Sequence, residues 1–309
     1  MEGGPIFIGG LDQSGKTPLR RMLSAHPELL LTRRTYMWSR FYNQFGPLST
    51  PSNLDRCLSA MLAQKAIQEM HPDREQVQRE FLQGPQTYAR LFELFHRQNL
   101  ERAGKRRWGD QLGFVERFAD VIFSSYPDAK LVHMIRDPRD STAAGAINKH
   151  RGRGKSGWLT ARWKFSAHLA QHNSRRYHKQ YLVVRYEDLM QDTENILRRI
   201  CNFLQEDYLS VMLEVLKSTH NREEEERAEN DVYHPQASAN KMKTQVTFTQ
   251  LFARRALIDL GYTVKPVPLS AGERIKFSMI DLPANLAGLI AWNLTERKQF
   301  LRSDAKKEI

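Results

Sequence analysis

The stretch GGLDQSGKT at 9–17 constrains the fold of this chain more than any other feature. It follows an apolar run, PIFIGG at 5–10, and leads into a helical pattern from Thr17 onward. A buried strand that turns through glycines into a helix directs backbone N–H groups and the positive end of the helix dipole to one place. The stretch therefore predicts a phosphate-binding loop, whose N–H groups would come from Ser14, Gly15, Lys16 and Thr17.

Other apolar runs have the length and composition of strands. They are LLLT at 29–32, AKLVHMI at 129–135 and YLVVRYEDL at 181–189, and the more polar segment KRRWGDQ at 105–111 is interpreted as a brief strand or a strand end. Amphipathic segments with helical spacing, among them 53–70 and 75–103, separate them, and such alternation favours a mostly parallel sheet covered by helices on both faces. The glycine- and base-rich segment 147–157 predicts a loop, and the acidic segment 221–231 predicts an exposed stretch. We predict a three-layer α/β domain over 1–264 and a mostly helical C-terminal extension over 265–309.

The composition is that of an ordinary globular protein, with an excess of Lys and Arg that gives a net charge of +12. This charge favours anionic partners without choosing among them. Cys57 and Cys201 have no paired spacing, so we expect neither a metal site nor a disulfide framework. Neither a signal peptide nor an apolar run of about 18 residues is visible, which leads us to expect a cytoplasmic protein without a membrane span.

A second motif, HMIRDPRDSTAAGA at 133–146, follows a predicted buried strand. A nucleoside-triphosphate hydrolase needs a carboxylate at such a strand end to position Mg²⁺, but here the residue is Arg136. Arginine at the carboxyl end of a parallel strand suits a second phosphate group. The alternative is that Arg136 only pairs with Asp137, Asp140 or Glu187.

Four segments, in order, resemble the sulfotransferases that use 3′-phosphoadenosine 5′-phosphosulfate (PAPS). They are FIGGLDQSGKTPLRRMLSAHPEL, KRRWGDQ, LVHMIRDPRD and YLVVRYEDLMQDTENILRRICNFL, spread over about 5–262. The resemblance implies a fold related to the P-loop kinases. It also implies transfer of a sulfuryl group from PAPS to a hydroxyl or amine, with no metal required.

For the 5′-phosphosulfate loop, the resemblance transfers directly to Ser14, Gly15 and Thr17. Gln13 stands where the family usually has Arg or Lys, and Lys16 stands where it usually has Thr. The cation is thus displaced by three positions. We expect Lys16 to fold back over the loop and stabilise the charge on the bridging oxygen.

For the 3′-phosphate, the resemblance assigns Arg136. The family often has Ser where Ala144 stands, so Ser141 is the nearest substitute. Tyr186 matches a position that contacts adenine in some relatives, and the alternative is a tyrosine packed on the sheet edge.

The general base is not given by the resemblance. Arg34 occupies the place of a catalytic Glu in tyrosine-directed relatives, and Gln111 replaces a common Lys. Asp110 is the best remaining carboxylate to accept a proton from the acceptor, with a loop-capping role as the alternative. His133, in the middle of an apolar run, is better explained as a packed histidine.

The acceptor would be a small molecule, a lipid or a saccharide. Arg33 and Arg34 fall near the place where acceptors enter in relatives, and 136–179 holds eleven Lys or Arg. These residues form either a track for an anionic acceptor, with peripheral membrane contact possible, or a solvated basic face.

Three rival functions stay open at this point. A P-loop kinase or NTPase using ATP and Mg²⁺ fits the intact GxxxxGKT, and a catalytically weak nucleotide-binding relative fits the missing base. A nucleic-acid-binding protein is disfavoured, because no recognisable binding motif accompanies the basic charge.

Overall fold

A computed structural model describes residues 3–141, 154–215 and 243–305, with side chains up to 140 and 296 in the first and last of these ranges. Most of the predicted basic loop at 147–157 and the predicted acidic stretch at 221–231 lie outside the described residues.

Five strands form one parallel sheet, which confirms the predicted fold class. They are β1 (Ile6–Gly9), β2 (Leu29–Arg33), β3 (Arg107–Gln111), β4 (Lys130–Ile135) and β5 (Tyr181–Arg185). Their order in the sheet is β2-β3-β1-β4-β5, so β1 and its glycine-rich exit lie at the centre. Apolar side chains of β1 and β4 are almost completely buried, as expected for strands covered on both faces.

Helices precede and follow the strands along the chain. They are α1 (Lys16–Ser24), α2 (Pro51–Leu62), α3 (Lys65–Gln68), α4 (Arg74–Leu82), α5 (Tyr88–Ala103), α6 (Ala119–Ser125), α7 (Pro138–Ser141), α8 (Lys155–Arg176), α9 (Tyr186–Gln191), α10 (Thr193–Leu204), α11 (Lys243–Asp259), α12 (Ala271–Lys276) and α13 (Leu282–Ala305).

Three segments predicted as continuous elements are interrupted. The helical segment 53–70 divides where α2 ends at Leu62 and α3 begins at Lys65. The helical pattern over 75–103 breaks where Pro85 cannot continue a helix, and Thr87 caps the restart by accepting the N–H of Arg90 at 3.2 Å. The strand predicted over 181–189 ends at Arg185, and Tyr186 begins α9.

Two neighbouring residues of β3 show which helix covers each face of the sheet. The Gln111 side chain accepts a hydrogen bond from Arg20 of α1, whereas the Asp110 carboxylate faces His96 of α5. Since successive strand residues point to opposite faces, α1 and α5 cover opposite sides of the sheet.

The chain divides into two compact units. One comprises 1–134, 173–184 and 188–217 and holds nearly all of the sheet; the other comprises 135–172, 185–187 and 218–309. The boundary predicted between 1–264 and 265–309 stays a prediction. Among the helices that the structure describes, none has the length and apolarity to cross a membrane.

A buried ion pair ties the amino end of β3 to the residues after α10. Arg107 donates through one terminal nitrogen to Glu206 Oε1 at 2.8 Å and to the carbonyl of Leu204 at 2.6 Å. Arg106 reaches the second oxygen of Glu206 at 2.7 Å. Both Arg107 and Glu206 are almost fully buried, and burial lowers the pKa of Arg107.

Glu206→Ala should lower the free energy of unfolding by about 3–5 kcal/mol, because it leaves the Arg107 guanidinium buried without its countercharge. Urea unfolding of the purified protein measures this. Glu101→Ala removes an exposed partner of Arg97 and serves as the control, with an expected loss below about 1 kcal/mol. Equal losses in the two variants would contradict the account of this ion pair.

Candidate functional site

The loop between β1 and α1 needs glycine where it leaves the strand. Gly10 has φ +119°, and a Cβ there would lie 2.2 Å from the carbonyl oxygen of Met134. Gly15 immediately precedes α1 with φ +92°. Only a residue without a side chain fits the first position, which holds the loop close to the end of β4.

Lys16 folds back over this loop, as the sequence predicts. Its side chain is 6% exposed, and its ammonium donates to the carbonyl oxygens of Gly10, at 2.7 Å, and Leu11. A full positive charge is therefore fixed above the turn rather than extended into solvent.

Ser14 lies inside the same turn. It is 3% exposed, and its hydroxyl has no hydrogen-bond partner among the residues that the structure describes. Its N–H donates to the carbonyl of Leu11 at 3.2 Å, so that amide closes the turn. A buried hydroxyl in a glycine cradle under an ammonium group suits an oxyanion ligand. Gln13 is exposed at φ +64°, and Thr17 is half-buried in the first turn of α1.

Sequence reasoning missed the residue that anchors the loop. Glu116 lies in a short 3₁₀ turn (Val115–Phe118) and is buried. One carboxylate oxygen accepts the N–H of Gly10 at 2.9 Å, and the other lies 3.4 Å from His133 Nε2. A Cβ on Gly9 would approach this carboxylate to 2.7 Å. No motif in the sequence surrounds Glu116, so its role becomes visible only in the structure.

His133 is packed in the interior, as predicted, and it also extends the polar chain behind the loop. Its Nδ1 lies 2.6 Å from the hydroxyl of Tyr181. Burial lowers the pKa of His133 and so favours the neutral ring, although the charge of Glu116 offsets part of this lowering. Because a carboxylate only accepts, a neutral His133 presents its N–H to Glu116 and accepts from Tyr181.

Asp110 lies at the carboxyl end of β3 and is 1% exposed. Its oxygens accept the hydroxyls of Thr32, at 3.0 Å, and Thr35. His96 Nε2 lies 3.8 Å away, and the His96 ring stacks on Trp108 with centroids 4.2 Å apart. The Asp110 carboxylate is therefore held by hydroxyl groups of β2 and of the residues that follow it.

Burial sets the protonation of this cluster. It raises the pKa of Asp110 to about 7, against the lowering effect of the Thr35 and Thr32 hydroxyls. It lowers the pKa of His96 to about 3. Near neutral pH, the cluster holds a carboxyl group poised to exchange a proton beside a neutral imidazole.

The second motif lies in the other compact unit. The Arg136 guanidinium lies over the Tyr186 ring, 4.4 Å from its centroid, and the Arg136 carbonyl accepts the indole N–H of Trp163 at 2.9 Å. Glu187 accepts the N–H of Asp137 at 2.7 Å. The structure thus brings together Arg136 and Tyr186, two residues predicted to bind the 3′-phosphate and adenine.

Two acids near Arg136, Asp137 and Glu187, also bond to other residues. The Asp137 carboxylate pairs with Arg139 at 2.5 Å, and Glu187 also accepts the hydroxyl of Tyr262 at 3.1 Å. Ser141 ends the four-residue helix α7, but its side chain lies outside the described residues.

Fold and site together define a parallel α/β protein with a lysine-covered, glycine-rich loop at its central strand. The sequence profile of the Sulfotransferase family matches residues 5–209, more than half of the chain. The chain therefore belongs to the sulfotransferase family, and it is an enzyme of that class.

Three solved structures are similar to this chain, and the first of them supports the fold. The sulfotransferase domain from the curacin biosynthetic pathway is 15% identical, with a TM-score of 0.52 over 85% of this chain and 99% of that one. The sulfotransferase domain of the Synechococcus PCC 7002 olefin synthase is 23% identical, with a TM-score of 0.49 over 68% and 76%. Mouse sulfotransferase SULT7A1, complexed with PAP, is 13% identical with a TM-score of 0.41 over 82% and 86%. Among curated proteins, none matches the sequence significantly.

Asp110→Asn should become more stable relative to the unmodified protein as the pH rises. The folded protein holds the Asp110 proton up to about pH 7, whereas the unfolded chain releases it near the usual aspartate value of 3.8. Stability of the unmodified protein therefore falls across this window, and the variant escapes a cost of up to about 4 kcal/mol.

Guanidinium unfolding of both proteins at pH 5 and pH 8 measures the difference. Asp128→Asn, at an exposed turn position, provides the matched control with no such pH trend. A stability difference between Asp110→Asn and the unmodified protein that stays constant with pH would refute the raised pKa.

Proposed function

We propose that this sulfotransferase transfers the sulfuryl group of PAPS to a hydroxyl or amine and releases adenosine 3′,5′-bisphosphate. The observation that carries the proposal is the β1–α1 loop, with Lys16 folded over it and a buried Ser14 hydroxyl inside it. This combination of a fixed cation and a buried donor is suited to the bridging oxygen of a phosphosulfate.

In the proposed reaction, the acceptor oxygen or nitrogen attacks sulfur, and the bond between sulfur and the 5′-phosphate oxygen breaks. Negative charge then accumulates on that leaving oxygen, where the Lys16 ammonium stabilises it. Gln13, Ser14, Gly15 and Thr17 hold the 5′-phosphosulfate. The reaction requires no metal ion.

We further propose that Arg136 binds the 3′-phosphate, with Ser141 nearby, and that Tyr186 contacts adenine. The contact of the Arg136 guanidinium with the Tyr186 ring supports this pairing, because one residue supplies a charge and the other a flat face.

The proton of the acceptor goes to Asp110 in this proposal. Support comes from its pKa of about 7, since a base is most effective when its pKa lies near the working pH. Phe7 of β1 pairs in register with Asp110, so the carboxyl lies one strand away from the strand that enters the loop.

A kinase or NTPase stays a second candidate because the GxxxxGKT sequence is complete. Isothermal calorimetry separates the two. We expect adenosine 3′,5′-bisphosphate to bind in EDTA at least about tenfold more tightly than ATP with Mg²⁺, because only the former carries a phosphate at each end of the nucleoside. Tighter binding of ATP with Mg²⁺, together with ATP turnover, would overturn the proposal.

The same calorimetry includes Arg136→Ala. This variant should lose about 10- to 150-fold in affinity for adenosine 3′,5′-bisphosphate and little for adenosine 5′-phosphate, because one charge-assisted contact is removed. Equal losses for both nucleotides would contradict the 3′-phosphate role. Binding of the bisphosphate without transfer from PAPS to any acceptor would instead identify a catalytically weak relative.

A further inference from the structure

Three arginines surround Gln111, the last residue of β3. Arg33 ends β2 and pairs with Gln111 in register. The backbone N–H of Arg34 donates to the Gln111 carbonyl at 3.1 Å, and Arg20 Nε of α1 donates to its side-chain oxygen at 3.1 Å. We call Arg20, Arg33 and Arg34 the arginine cluster.

The arginine cluster lies beside the phosphate loop, within the same compact unit. Gln111 pairs in register with Ile8, and the N–H of Leu112 donates to the Ile8 carbonyl at 3.0 Å. Gly9 and Gly10 follow directly. Because β3 lies between β1 and β2, the cluster flanks the loop on the side opposite β4.

Side-chain direction places two of these cations on one face. Thr32 bonds to Asp110 and faces α5 with it. Since strand residues alternate, the next residue, Arg33, faces the α1 side, where Arg20 bonds to Gln111. Two guanidinium groups therefore converge from β2 and α1.

The cluster carries an uncompensated charge. Within the part of the chain that the structure describes, none of its three members forms an ion pair with a carboxylate. Arg33 and Arg34 are exposed and Arg20 is half-buried. Burial lowers the pKa of Arg20, and the charges of Arg33 and Arg21 lower it further. Like charges held together repel one another, so a bound anion stabilises them.

We propose that the arginine cluster binds an anionic group of the acceptor, a carboxylate, phosphate or sulfate, and so selects acidic hydroxyl or amine acceptors. The forked guanidinium donors of Arg20 and Arg33 match the oxygens of such groups, which a lysine pair would not do as specifically. The proposal depends on the proposed function, because it assigns the site to the acceptor.

The test uses matched probes in which a carboxylate replaces a neutral hydroxymethyl group. They are glucuronate against glucose, and 4-hydroxybenzoate against 4-hydroxybenzyl alcohol. Binding to the protein saturated with adenosine 3′,5′-bisphosphate is measured by saturation-transfer NMR. We expect the anionic member of at least one pair to bind about tenfold or more tightly than its neutral partner. Raising NaCl from about 0.05 to about 0.5 M should shrink this preference through screening.

Arg33→Glu and Arg34→Glu should each reduce the preference for the anionic probe, with the larger loss at Arg33. Arg79→Glu makes the same charge change at an exposed position on α4 and should leave the preference intact. Calorimetry with adenosine 3′,5′-bisphosphate should give the same affinity for all three variants as for the unmodified protein.

Three results would overturn the proposal. They are equal binding of charged and neutral probes, no binding of either anionic probe at about 10 mM, and an equal effect of Arg79→Glu. A loss of bisphosphate affinity in Arg33→Glu would assign the cluster to the donor instead. If the bisphosphate fails to bind the unmodified protein, the donor assignment fails. The probe preference measured without nucleotide still tests whether the arginine cluster binds anions.

Discussion

The hydrogen bond from Gly10 to the Glu116 carboxylate is the contact on which the candidate site depends. It ties the first peptide of the phosphate loop to a buried acid, which in turn contacts His133 of β4. Burying a carboxylate costs free energy unless polar groups surround it. The Gly10 amide, the His133 imidazole and the nearby Lys16 ammonium offset this cost for Glu116. The loop is therefore held from behind by the same polar chain that fixes β4 beside β1.

Beside that loop, the residues proposed for the different chemical steps lie at the ends of neighbouring strands. Lys16 covers the turn after β1. Asp110 lies near the end of β3 on the face covered by α5, whereas Arg20 and Arg33 of the arginine cluster lie on the face covered by α1. Charge stabilisation, proton acceptance and recognition of an acidic acceptor would then use neighbouring strand ends, which is where parallel α/β sheets bind ligands.

The sequence predicted those features that depend on a local pattern of residues. The strand–glycine–helix signal at 9–17 predicted the loop and the folded-back Lys16, and apolar runs predicted the parallel sheet. It failed where partners lie far apart in the chain. Glu116 lies more than a hundred residues from Gly10 in the chain. The hydroxyls of Thr32 and Thr35 bond to Asp110, which lies on the neighbouring strand but more than seventy residues later in the chain. Such contacts leave no periodic signal. The Tyr186 helix start was missed because the preceding strand pattern gave no clear end.

Hydrogen–deuterium exchange tests the central claim, that the Glu116-anchored loop is the donor site. In EDTA, saturating adenosine 3′,5′-bisphosphate should slow exchange of the amides at 13–17 other than that of Ser14, because they become hydrogen-bonded to the 5′-phosphate, whereas the Ser14 N–H already donates to Leu11. Amides of α4 should exchange at an unchanged rate. Unchanged exchange at 13–17 under saturating nucleotide, with slowing elsewhere, would contradict the account.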